Sequence, residues 1–172
     1  GQPWPRLFTT ELIRDSIDVY PIEFLDIASH RCVLHGADPL RGVEIDASLL
    51  RLQCERELRE KLMRLREGYV ESRGRQRELR RLLAISYAGF AIVWRGYLHL
   101  LGTDVPAHDR DVAAALTARL GLDGAPFEEI AQLAAGAQAV DAEALFARYQ
   151  NELESMVARL DRFVVQTKGD ST

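Results

Sequence analysis

The sequence predicts a mainly α-helical protein, a bundle of three long and two short helices with a short α/β remnant at its N-terminus. Three observations lead there. From residue 46 onward, apolar side chains recur every three or four residues, the period of a helix with one buried face. These periodic stretches are separated by short segments carrying Gly74, Gly102, Pro106 and Pro126. Only one run, from Val19 to Ile27, is rich enough in β-branched and aromatic residues to read as a strand.

In the first 45 residues, Pro3, Pro5, Pro21, Pro39, Gly36 and Gly42 interrupt every run. Residues 9–17 predict a short helix capped by Thr9 or Thr10, with Leu12, Ile13 and Ile17 on one side. Residues 19–27, VYPIEFLDI, predict a strand; Pro21 cannot donate to a ladder, so that strand should begin there or lie at a sheet edge. A single strand cannot satisfy its own backbone groups, which points to sheet partners upstream. The opening Gly1 in place of Met fits a piece of a longer protein. The chain is therefore expected to divide into residues 1–45, the edge of an α/β core, and residues 46–172, a helical bundle.

Asp46 or Ser48 should cap a helix to about residue 72, with Leu50, Cys54, Leu58, Leu62, Leu65 and Tyr69 as its apolar stripe. Its other side carries Glu55–Arg59, Glu57–Lys61 and Glu60–Arg64, spaced four apart with the acid first, each worth ~0.2–0.5 kcal/mol. Gly74 ends it. Residues 76–101 predict a second long helix with Leu79, Leu83, Tyr87, Phe90, Trp94, Tyr97 and Leu101 in one stripe and Leu82, Ile85, Val93 and Leu100 in another. Apolar over most of its circumference, it should be the central element. Gly89 and Gly96 within it each lower helix propensity by about 1 kcal/mol, so a close neighbouring helix is the expected reason for both. Two short helices, at 109–120 and 126–134, lead to a last long helix capped by Asp141. Its stripe is Ala142, Leu145, Tyr149, Leu153, Met156, Leu160 and Phe163, and its end from Lys168 should fray.

Composition narrows the function classes. Of 172 residues, 47% are hydrophobic and 28% charged, a globular balance. The net charge of −4 argues against nucleic acid as a partner. Two cysteines cannot build a disulfide framework and no apolar leader opens the chain, so a cytoplasmic setting is expected. Residues 82–101 are long enough to span a membrane, but Arg95 and His99 inside them and Arg80 and Arg81 just before make insertion costly. Charge is also segregated: residues 51–81 hold 11 basic and 6 acidic residues, and residues 102–172 hold 6 basic and 12 acidic. One basic and one acidic helix packing together is the plain reading; an Arg surface for phosphate or an acidic partner is the sharper one.

Few constellations carry chemistry. His30, Cys32 and His35, with Cys54, lack the paired spacing of a structural metal site. Asp109 and Asp111 open a helix after a Pro-containing loop, where capping and dipole compensation explain them. No phosphate-binding Gly-rich loop, nucleophile elbow or zinc-protease motif occurs. Arg95 and His99, four apart on the most apolar helix, could line a polar pocket or be a satisfied core pair. Arg31 and His35 repeat that spacing in the loop-rich part.

The stretch LFTTELIRDSIDVYPIEFLDIASHRCVLHGADPLRGVEID, followed by LRLQCERELREKLMRLREGY, resembles the C-terminal half of bacterial nucleotidyltransferase-domain proteins. In that resemblance YPIEFLDI is similar to the late strand after the catalytic core, and HRCVLHGADPL to the connection into a helical bundle. The family's Gly-Ser…Asp-x-Asp signature, which holds the nucleotide triphosphate and Mg²⁺, does not occur in this chain. The resemblance therefore implies that Mg²⁺ and triphosphate belong to a core outside it, with no cofactor in the chain itself. Glu23 and Asp26 could at most be supporting carboxylates. It implies a non-catalytic accessory module that packs on the core, with Arg95, His99, Arg59 and Arg66 as contacts to substrate or partner. The bundle also resembles HEPN-type accessory domains. Their ribonucleases space Arg and His by four to six residues, whereas three separate Arg95 from His99. A HEPN-type ribonuclease acting as a homodimer through its bundle, or a plain interaction domain binding another helix through an exposed apolar stripe, is the alternative.

Overall fold

The computed structural model describes residues 7–136 and 141–165, which form seven helices. They are α1 (Thr10–Ser16), α2 (Pro21–His30), α3 (Ala47–Ser72), α4 (Gln76–Leu100), α5 (Asp109–Leu120), α6 (Ala125–Ala134) and α7 (Ala142–Asp161). The mainly α class holds, with three long and two short helices from residue 46 onward. The caps lie where side-chain chemistry demands: Thr9 Oγ1 accepts from Leu12 N–H at 3.1 Å, and Asp46 and Asp141 each accept from two amides of their first turns.

The strand expected over residues 19–27 is a helix, and no strand occurs among the described residues. Pro21 is its first residue, where the missing N–H costs nothing and the fixed φ suits a helix, and Glu23 complements the dipole in the first turn. The run looked strand-like because α2 is buried on two sides. Ile22 and Leu25 enter the main core, while Phe24 joins Ile13 and Leu40 in a second, small cluster. Two buried sides erase the polar gaps that normally reveal helical period. With the strand goes the inference of missing sheet partners that rested on it.

Tyr20 supplies no side-chain cap to α2. The buried Gln53 of α3 does that work: its Oε1 accepts from Ile22 N–H at 2.8 Å, and its Nε2 donates to Glu23 Oε2 at 2.9 Å. One side chain thus satisfies an otherwise orphaned helix-end donor and fastens α2 to the bundle.

Helices α3 and α4 form an antiparallel hairpin. The turn is Arg73–Gly74, both left-handed at φ 51° and 72°. Close contacts fix the register: Cβ atoms at Gly68 and Gly96 would lie 2.6 Å from Leu82 Cδ1 and 3.0 Å from Cys54 Sγ. The close neighbour expected at Gly96 is there. The one expected at Gly89 is not; a Cβ at that position meets nothing within 4 Å. Ile85, expected in a second buried stripe, is likewise exposed.

Helix α7 lies antiparallel to α3, and this packing accounts for part of the charge segregation. Arg66 pairs with Glu154 at 2.8 Å, Arg59 with Asp161 at 3.4 Å, and Arg51 donates to the carbonyls of Asp161 and Phe163. Tyr69 stacks on Phe146 with centroids 4.4 Å apart. These exposed pairs each contribute ~0–1 kcal/mol and set alignment more than stability. Stability comes from the aromatic centre where α4, α6 and α7 meet. Trp94 lies 5.8 Å from Phe90, 5.2 Å from Tyr87 and 5.4 Å from Phe127, whose ring in turn lies 5.2 Å from Tyr149. No described helix is long and apolar enough to cross a membrane.

Candidate functional site

Three of the residues singled out in the sequence come together. Asp26 from α2 and Arg95 and His99 from α4 line one cleft together with Gly96, Ile92 and Val105. They meet because Gly96 lets α2 approach α4, with Ile22 Cγ1 only 3.4 Å from where a Cβ would stand. The cleft has an accessible volume of about 20 Å³, room for about one water molecule.

Arg95 is engaged within the chain. Its Nη1 donates to Pro106 O at 2.7 Å, and its Nη2 to Ala107 O at 2.9 Å and Asp109 Oδ1 at 2.7 Å. The side chain is 11% exposed. The planar fork thereby holds the segment from Gly102 to α5 against α4, and one group of α5's acidic first turn serves as its counterion. His99, one turn on, is exposed.

The remaining candidates lie elsewhere. Glu23 faces α3 and accepts from Gln53. Arg59 bridges Glu55 and Asp161, and Arg66 reaches Glu154, whose carboxyl the Arg66 and Gln150 donors hold below its ordinary value. Arg31 does not act with His35; it pairs with Asp38 at 2.8 Å and donates to Ala28 O, pinning the segment after α2. Asp38 is held below its usual value by Arg31 and by the Leu40 N–H.

The cysteines are apart in environment. Cys32 is exposed, whereas Cys54 is sealed between α3 and α4, where burial, assisted by Glu57, pushes its thiol up to about 12. Among the described residues no group of three or more His, Cys, Asp or Glu is placed to share a metal ion. The side chain of His30 lies outside the described residues. Titration of the native protein with a thiol reagent should consume Cys32 rapidly and Cys54 only on unfolding. Equal rates for both would contradict this burial.

The larger opening was not signalled by any motif. Phe8, Ile13, Phe24, Ile27, Leu34 and Leu40 line a groove of about 480 Å³ between α1, α2 and the segment that follows them. Val33 lines it too, and Leu7, Leu12, Val19 and Tyr20 of the same stretch of chain are also exposed. Eight of the fifteen large hydrophobic residues exposed among the described residues fall between Leu7 and Leu34. Charged or aromatic motifs could not reveal this; the signal was an apolar density too high for so short a stretch to bury. Comparison of the chain with protein-family models, curated proteins and solved structures returns no match.

Proposed function

We propose that this chain is a non-catalytic helical module that docks on a nucleotidyltransferase-type core through the apolar surface of α1, α2 and residues 31–40. The observation that carries the docking is the half-built second cluster. Ile13, Phe24 and Leu40 are buried, yet the side chains around them remain open to water. An apolar groove left this open marks a contact with another folded unit. The choice of core follows from the sequence resemblance, which is densest from Leu7 to Tyr69 and so includes this surface. In this reading Mg²⁺ and the triphosphate are held by the core, and no step of their chemistry falls to this chain.

The engagement of Arg95 supports docking over the ribonuclease alternative. A ribonuclease pair must reach a phosphate together, and here the guanidinium is taken up by two carbonyls and Asp109 beside a cleft the size of one water. Arg59 and Arg66 similarly join α3 to α7, so they support the bundle before any substrate.

The test is co-purification with the polypeptide encoded directly upstream of this segment. Ile27→Asp and Leu34→Asp alter side chains on the groove that are 38% and 93% exposed, so the thermal melt should stay unchanged. Retention of the partner should fall at least tenfold. Undiminished retention with both variants folded contradicts the docking surface.

A further inference from the structure

Gly89 stands in the middle of α4 with no reason for being glycine inside this chain. It has no capping role, its φ is not left-handed, and a Cβ there meets nothing within 4 Å. Gly68 and Gly96, by contrast, are glycines because Leu82 and Cys54 press on them. An unconstrained helix interior favours Ala over Gly. The side chains flanking Gly89 are equally out of place: Ile85 is 61% exposed and Ile92 48%, with exposed Ala88 between them.

At helical period these residues share one stripe with exposed Glu78 and Arg81 toward one end and exposed His99 toward the other. Two isoleucines separated by a bare stretch of backbone make a saddle that fits a crossing helix closely. We infer that a second copy of this chain occupies it, the two α4 helices packing antiparallel about a two-fold axis between Ala88 and Gly89.

The stripe itself chooses this occupant, because it is complementary to its own reverse. Antiparallel pairing sets Ile85 of one copy on Ile92 of the other and Ala88 on Gly89. It brings Glu78 opposite His99. It also brings Arg81 opposite Gly96, where the cleft wall of the other copy includes Asp26. Parallel pairing would instead set Arg81 on Arg81 and Glu78 on Glu78, like on like. An isologous contact needs this self-complementarity, and an unrelated partner would have no cause to produce it. The stripe is separate from the groove of α1 and α2, so the inference stands whether or not that groove docks on a core.

The experiment is light scattering and sedimentation of the full chain over a wide concentration range. Wild-type protein should reach twice the chain mass of 19.4 kDa. Gly89→Leu fills open space in the single chain, so it should keep or raise the melting temperature. The same change should weaken association by about 30-fold or more. Glu78→Arg should weaken it as well, and adding His99→Glu should restore it. A wild-type monomer at every concentration overturns the inference, even if the stripe then proves to bind a different protein. So does a dimer indifferent to both Gly89→Leu and Glu78→Arg, since its contact would lie elsewhere.

Discussion

Replacing Trp94 by alanine should lower the unfolding free energy by about 3–5 kcal/mol, the largest effect we expect of any single change here. The indole is fully buried among Tyr87, Phe90 and Phe127, so its loss leaves a cavity where α4, α6 and α7 meet that no one of them can close alone. Against a total stability of ~5–15 kcal/mol for an ordinary domain, the variant would be marginally folded. Trp94→Phe should be far milder, about 1–2 kcal/mol. It keeps the stacked ring and removes an indole N–H that finds no acceptor among the described residues. Urea titration followed by far-UV circular dichroism measures both. A loss below about 1 kcal/mol for Trp94→Ala would mean that the aromatic centre is not packed as described.

Arg95→Ala is the second large effect, expected at about 1.5–3 kcal/mol. It strips the donors from Pro106 O and Ala107 O and the counterion from Asp109. Asp109 is 47% exposed and can return to water, which keeps the cost below that of a fully buried pair. Arg95→Lys should recover little, because one ammonium cannot span three acceptors as the planar fork does. Limited proteolysis should show faster cleavage between Gly102 and His108 in both variants. The sign of the effect separates two roles. A guanidinium kept for a ligand is commonly removed at no cost to stability, or with a gain. A structural guanidinium is not, so an Arg95→Ala protein as stable as wild type would return Arg95 to the list of functional candidates.

From residue 46 onward the helices were legible because each sets a buried side, narrow on α3 and α7 and broad on α4, against water, and that contrast writes its period into the sequence. Their ends were legible because Asp46, Gly74 and Asp141 carry local chemistry that needs no tertiary partner. Helix α2 was not, since burial on two sides removed the contrast while Val19, Ile22 and Ile27 imitated a strand. Gln53 was missed although a signal existed. It sits three residues after Leu50 on the apolar stripe, where a polar side chain requires a buried partner. Arg95 and Asp109 were both noticed, but no local rule joins residues across the loop of Pro106; only the folded path of that loop does. The cleft shared by Asp26 and His99 was hidden because residues 19–27 read as a strand of a unit separate from the helix that carries His99.

Hydrogen exchange read by mass spectrometry, on the chain alone and joined to the polypeptide encoded upstream, bears most directly on the docking surface. Alone, amides of α1 and α2 should exchange well ahead of those in α3 and α4, which close the main core. In the joined protein, protection should rise at Phe8, Ile13, Phe24, Ile27 and Leu34 and stay level along the outer side of α5 and α6. Unchanged exchange from Leu7 to Leu40, with protection gained on another face, would contradict the account.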